Sequence, residues 1–262
     1  MIRLIGIDVD GTLVGTSGVI HPTVWATADK ARREGIHLVL CSGRPAFGLA
    51  LDYARRLDPA GWHVFQNGAS IIDLQSGKSS SVQIASAFIA GLIQRARQTR
   101  QILELYSDNA YVTESEADWA RIHAEMLGLP FKPAPYESLA APVVRAQWVL
   151  PAADADNYMQ APPVEVEVAV STSPLLPAAH FVGLTHKGVS KGTAMRTIAE
   201  GYGIDLRDVM YVGDADNDLP ALRVAGHPVA MGNGSAAVRA LARHTVGHVD
   251  EGGLAEALEL AL

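Results

Sequence analysis

The chain has 262 residues, 48% of them apolar, with a formal net charge of −7 and a single cysteine, Cys41. That length suits one large domain or a domain carrying an inserted second one, with enough apolar residues for a sizeable core. The acidic balance leaves no basic surface for following nucleic acid, no stretch reaches the ~20 apolar residues of a membrane span, and a lone cysteine excludes an internal disulfide and points to a reducing cytoplasm.

In chain order, Leu4-Ile5-Gly6-Ile7 reads as a buried strand, and as an amino-terminal apolar run it is too short for a secretion signal. It leads into Asp8-Val9-Asp10-Gly11-Thr12. Strand alternation predicts both carboxylates on one side, followed by a Gly-Thr turn. Such a pair suits metal binding together with nucleophilic or acid–base work on a phosphate; a polar turn after a core strand is the plainer reading of Asp-Gly alone. Pro22 opens a helix through Trp25, Ala28, Ala31 and Arg32, stopped near Gly35, with Lys30, Arg32 and Arg33 where the helix dipole favours cations. Ile36–Cys41 is a second buried strand, ending in Ser42-Gly43-Arg44-Pro45. A helix follows over Ala46–Leu57, and Val64-Phe65 leads into a turn at Asn67-Gly68. Strands alternating with helices predict a doubly wound, mostly parallel α/β sheet.

The middle third changes character. An amphipathic helix covers Ile84–Thr99, with Phe88, Leu92 and Ile93 among its apolar positions; Gln101–Tyr106 and Ala110–Thr113 flank a hairpin turn; Glu116–Leu127 is helical. Ala146–Leu150 and the alternating Val164-Glu165-Val166-Glu167-Val168 read as half-buried strands, which fits an antiparallel sheet with one solvated face. These features define an inserted α+β domain at 84–183, between core segments 1–83 and 184–262. Trp148, Tyr106, Trp119 and His180 are the aromatic candidates for lining a pocket there, with core packing the stronger expectation for each.

The doubly wound pattern then returns. Ser190 caps a helix with the apolar face Ala194, Met195, Ile198 and Tyr202. Val209–Val212 is a buried strand ending in Gly213-Asp214-Ala215-Asp216-Asn217-Asp218, Pro228–Met231 is a short strand, and two helices finish the chain.

Asp8 and Asp214 each terminate an apolar strand with an acidic cluster, and in open α/β sheets ligands sit outside the carboxyl ends of strands. If the two strands are neighbours, the carboxylates converge and repel by about 4 kcal/mol at ~4 Å, a penalty that a hard divalent cation such as magnesium removes. A solvated loop with Asn217 capping the next helix is the competing reading. Ser42 offers a hydroxyl and nearby backbone N–H groups to a phosphate oxygen, while Cys41 is a core residue. Lys191 lies in the first turn of its helix, where a cation is disfavoured unless it faces an anion. Losing Lys191 is therefore expected to cripple turnover yet stabilise the empty protein, and Lys187 is its solvated competitor. His244 and His248 have a helical i, i+4 spacing, with a surface location the stronger expectation.

Four pieces in order, D-V-D-G-T, S-G-R-P, G-V-S-K-G and G-D-A-D-N-D, resemble the four motifs of the haloacid dehalogenase superfamily of phosphohydrolases. Asn67-Gly68-Ala69, Ala230-Met231-Gly232-Asn233 and Gly252-Gly253 resemble its Cof-like branch of sugar-phosphate and small-metabolite phosphatases. The resemblance covers nearly all of the core and implies that the insert is that branch's cap. It implies Asp8 as nucleophile, forming an aspartyl-phosphate, and Asp10 as the acid that protonates the leaving alcohol and then activates water. Thr12 would position Asp10. Gly11, Thr12, Ser42, Gly43 and Lys191 would hold the phosphoryl group. Magnesium would be bound by Asp8, the carbonyl of Asp10 and Asp214, with Asn217 and Asp218 in support. The partner implied is a small phosphorylated metabolite, with neither nucleic acid nor membrane. A sugar phosphomutase of the same superfamily is the alternative, and a phospho-accepting signalling module, which needs neither Asp10 nor a cap, is the more distant one.

Overall fold

The elements β1 (Leu4–Ile7), α1 (Pro22–Arg33), β2 (His37–Leu40), α2 (Leu49–Leu57), β3 (Trp62–Phe65) and β4 (Ser70–Asp73) follow one another in the computed structural model, which describes residues 1–173 and 175–262. The middle holds α3 (Ser86–Thr99), β5 (Ile102–Tyr106), β6 (Tyr111–Val112), α4 (Asp118–Leu127), β7 (Arg145–Pro151), α5 (Ala152–Gln160), β8 (Val166–Thr172) and β9 (Ala179–His186). The last part holds α6 (Lys191–Gly201), β10 (Val209–Gly213), α7 (Leu219–Val224), β11 (His227–Ala230), α8 (Ala236–Leu241), β12 (His244–Thr245) and α9 (Gly253–Glu259). Two units result: Met1–Gly43 with Asp52–Ser79 and Ser190–Leu262, and Arg44–Leu51 with Ser80–Val189. The second is thus longer at both ends than the 84–183 read from the sequence, and it takes a short segment from the first part of the chain.

The first unit is the expected doubly wound α/β architecture. Its sheet runs β12-β11-β10-β1-β2, with every neighbouring pair parallel. Parallel strands are covered on both faces, which is why β1 is a continuous apolar run rather than an alternating one; Leu4, Ile5 and Ile7 are fully buried. β1 lies between β2 and β10, so the strand order reverses beside it, the place where such sheets bind ligands. β3 and β4 form a separate antiparallel pair, and a bridge between Cys41 and Val64 keeps β3 alongside the end of β2. The turn between them carries three successive positive φ values, at Gln66, Asn67 and Gly68. Buried His63 completes this join: its Nδ1 accepts the N–H of Leu40 at 3.0 Å while Nε2 donates to the carbonyl of Asp58 at 2.7 Å.

The second unit is antiparallel, in the order β6-β5-β7-β9-β8. Leu103, Leu105, Ala146, Trp148, Val182 and Leu184 on one face pack with Ile89 and Leu92 of α3 and Tyr158 of α5. On the other, Ile102, Val149 and Phe181 meet Ala120 of α4. β7 is therefore not half-buried as its sequence suggested: it sits between β5 and β9 and is buried along all but its last residue. The edge strand β8 runs over Val166–Thr172 rather than Val164–Val168, and it is half-buried without alternating: only Val166 is buried. Trp148 and Tyr106 are wholly buried, as core residues. His244 and His248 do not share a helix: the first is on edge strand β12 and the second precedes a short 3-10 turn, both exposed.

Candidate active site

The site assembles at the carboxyl ends of β1, β2 and β10. Asp8 follows β1 directly, is 4% exposed, and donates its N–H to the Val212 carbonyl of β10 at 3.1 Å, which draws the two strand ends together. Its pairing with Asp10 does not come from strand alternation, because the strand ends at Ile7. The chain instead turns about Val9, whose carbonyl accepts the N–H groups of Thr12, Leu13 and Val14, leaving Asp8 buried and Asp10 exposed. Gly11 has a φ of 88°, and a Cβ there would run into the Asp214 carboxylate, so only glycine fits the turn. Its carbonyl accepts from Asn233 Nδ2 at 2.7 Å, and Asn233 Oδ1 accepts from the N–H of Val249. Thr12 is fully buried, and its hydroxyl donates to Asp214 Oδ1 at 3.0 Å, which ties the turn to the end of β10.

Ser42 is fully buried just beyond β2, its N–H on the carbonyl of Val64 and its own carbonyl accepting from Asn67 N. A Cβ on Gly43 would stand 3.1 Å from Asn67 Oδ1, and the same Oδ1 accepts from Asn217 Nδ2 at 3.1 Å. Asn217 is exposed and caps nothing. Asp218, at the start of α7, makes no side-chain cap either; its Oδ2 ties back the turn before the helix, accepting the N–H groups of Asp214 and Ala215 at 3.1 Å each. Cys41 is buried against Met195, and burial pushes its thiol far above the usual range, which leaves it inert.

Lys191 opens α6, as expected. Ser190 Oγ accepts from Thr193 N while Thr193 Oγ1 accepts from Ser190 N, a reciprocal cap that starts the helix there. The anion that Lys191 faces is built into the protein: its buried Nζ lies 2.5 Å from Asp8 Oδ1 and 2.7 Å from Asp218 Oδ1. Burial works against the ammonium, but Asp218 and Asp8 outweigh it and raise its pKa. Lys187, by contrast, is exposed and pairs with Glu167 at 3.1 Å.

Asp8, Asp214 and Asp218 each offer one oxygen, all within 4.8 Å of one another. Burial, and then repulsion from Asp218, raise the carboxyls of Asp8 and Asp214 above their ordinary range, Asp214 to about 6. Lys191 balances only one of the three charges. An all-oxygen cluster with surplus negative charge fits a hard divalent cation. Sequence reasoning missed Asn67, Asn233 and Tyr211 as parts of this network. The signal for Tyr211 was a phenol inside an aliphatic strand, since a buried tyrosine hydroxyl needs a partner; it donates to Asp218 Oδ1 at 2.6 Å.

Residues 5–258 match the sequence model of the haloacid dehalogenase-like hydrolases. The chain belongs to that family. Among its relatives, phosphatase YwpJ of Bacillus subtilis is 25% identical over 285 residues, covering 98% of this chain and 99% of its own. A haloacid dehalogenase-like hydrolase from Bacteroides thetaiotaomicron superposes with a TM-score of 0.86 at 26% identity, over the whole of both chains. A subclass IIB sugar phosphatase shares the fold, with a TM-score of 0.83 at 21% identity over 98% of each chain.

Proposed function

We propose that this phosphatase of the haloacid dehalogenase-like family hydrolyses small phosphorylated metabolites, sugar phosphates among them, with magnesium and through an aspartyl-phosphate on Asp8. The observation that carries the proposal is the convergence of Asp8, Asp214, Asp218 and Lys191 beside the reversal in strand order, where Nζ already touches the proposed nucleophile. Asp8 attacks phosphorus while Asp10 gives a proton to the departing alcohol; Asp10 then takes a proton from the water that cleaves the aspartyl-phosphate. One residue serves both halves because they move the proton in opposite directions. The exposure of Asp10 suits that traffic, and the burial of Asp8 keeps its carboxylate in place. Lys191 and Ser42 hold the phosphoryl oxygens, with the turn at Gly11 and Thr12 and the Gly43 backbone completing the cradle. Asp8, Asp214 and the Asp10 carbonyl would hold the cation, with Asn217 and Asp218 in support; bound, it would neutralise charge on the phosphoryl group. The second unit is assigned the choice of leaving group. The cytoplasm is the assigned location, on the evidence of a single buried thiol.

A panel of sugar phosphates, pyridoxal phosphate, flavin mononucleotide and nucleotides tests this. Magnesium-dependent release of inorganic phosphate from at least one of them is expected, together with a phosphoenzyme that hydroxylamine discharges. Turnover that persists in excess chelator overturns the metal assignment. Hexose-phosphate interconversion without phosphate release would make the enzyme a mutase.

A further inference from the structure

Gly6 is an odd residue for the middle of a buried strand, since it packs no side chain there and weakens the strand. The structure explains it. Gly6 of β1 stands in register with Tyr211 of β10, and a Cβ on Gly6 would lie 2.6 Å from Tyr211 Cδ2 and 3.0 Å from Met195 Sδ. The glycine makes room for a phenol ring that is itself fully buried.

The phenol has one polar atom, and it is aimed at the site. Its hydroxyl donates to Asp218 Oδ1 at 2.6 Å, the oxygen that also accepts Lys191 Nζ at 2.7 Å. Asp218 Oδ2 accepts the backbone N–H groups of Asp214 and Ala215. Asp218 thus accepts from four donors of the protein, two at each oxygen. Two consequences follow. Asp218 is pinned at one oxygen by rigid backbone and at the other by a rigid ring, so it is a fixed stop for the flexible Lys191 side chain. The phenol also draws charge from Oδ1, so Asp218 does not capture the ammonium outright and Nζ stays shared with Asp8 at 2.5 Å.

We propose that Tyr211 is a positioning residue for Lys191, acting through Asp218, and that Gly6 is the glycine that admits it. This rests on the reading above in which Lys191 meets the phosphoryl group. Without the hydroxyl, Asp218 turns more freely and binds the ammonium more strongly, drawing it from Asp8.

Tyr211→Phe removes the hydroxyl and keeps the ring. With p-nitrophenyl phosphate and magnesium, we expect kcat to fall about tenfold and KM to change by less than about twofold, the loss of one hydrogen bond to a charged group that matters in the transition state. In a Lys191→Met background the same change should have no further effect on kcat, because the residue it positions is gone. An unchanged kcat in Tyr211→Phe, or an equal drop in both backgrounds, overturns the proposal; a tyrosine that merely fills the core would lower the melting temperature without that dependence on Lys191. The 15N–1H signal of the Lys191 side-chain ammonium gives a second measurement that needs neither turnover nor the Lys191 variant. It should be protected in the wild type and broadened by faster exchange in Tyr211→Phe, and an unchanged signal counts against the proposal. If the wild type hydrolyses no phosphate ester, the phosphatase reading fails and the ammonium signal alone decides this one.

Discussion

Each unit buries a carboxylate network against strands of its sheet, and the two differ in how their charge is balanced. In the second unit, Glu104 is fully buried and accepts from the Tyr106 hydroxyl at 2.7 Å, from Gln147 Nε2 at 3.0 Å and from His123 Nδ1 at 3.0 Å. Burial alone would raise its carboxyl, but the His123 ring, the Tyr106 hydroxyl and the nearby Arg145 guanidinium outweigh it and hold it below its usual range. Arg145 in turn lies over the Tyr106 ring at 4.3 Å. In the first unit, burial and the neighbouring Asp218 outweigh Lys191, so the Asp8 carboxyl is raised. Burying a charge is tolerable when donors and counter-charges surround it. The Glu104 network meets that condition from within the protein and therefore reads as structural. The Asp8 cluster does not, and on the proposed function that imbalance would be offset by a cation and a phosphoryl group.

The strongest way to break this contrast is Asp8→Asn, nearly isosteric and without nucleophilic oxygen. We expect turnover to fall by about 10⁴-fold or more in a folded protein, the scale of losing a nucleophile; steady-state kinetics and circular dichroism check it, and normal activity would return Asp8 to an ordinary strand-end turn. Lys191→Met comes next. Its kcat should drop ~10²–10³-fold, and denaturant unfolding should show a loss of about 3–5 kcal/mol, because two buried carboxylates lose their counter-charge. This reverses the stabilisation expected from the helix dipole alone, since the anion facing Lys191 is part of the protein and does not leave with a ligand. Lys187→Ala, at an exposed pair, should change neither kinetics nor stability.

Glu104→Gln sharpens the other half of the comparison. It removes the charge and puts an amide donor where Glu104 accepts from three donors, and we expect a loss of about 3 kcal/mol in stability while p-nitrophenyl phosphate is still hydrolysed below the melting transition. A kcat reduced in proportion to that of Lys191→Met would make the network part of the chemistry. The smallest effect concerns His63, buried as a neutral ring whose pKa burial pushes down to about 4. A folded pKa below the ordinary value means that its contribution is complete above pH ~6.5 and is lost as the pH falls toward 4, about 2 kcal/mol of it by pH 5. Protonation of Nδ1 would end its acceptance of the Leu40 N–H. His63→Asn, which keeps an acceptor there, should flatten the acid side of the stability curve relative to the wild type, as measured by urea unfolding from pH 7 to 5.

The sequence by itself determined the α/β core, the antiparallel character of the middle and the strand-end positions of Asp8, Ser42 and Asp214, along with Lys191 at the start of its helix. Each is signalled locally, by an apolar run followed by turn residues or by a capping serine a residue before the helix. Tertiary structure alone decided which side chains those groups meet. Thr12 finds Asp214 across 202 residues of chain, Lys191 finds Asp8 across 183, and Glu104 collects Gln147 across 43. The two-sided burial of β7 likewise depended on its central place in the sheet, which strand alternation does not encode. Tyr211 shows why. In sequence it is one more large residue in a buried strand, and only the pairing of β10 with β1 sets its ring against Gly6, while the turn that follows β10 brings Asp218 back to its hydroxyl. Strand propensity and the hydrophobic effect act on a residue whatever its partner is, whereas a hydrogen bond or ion pair exists only once the chain has brought two particular atoms within about 3 Å.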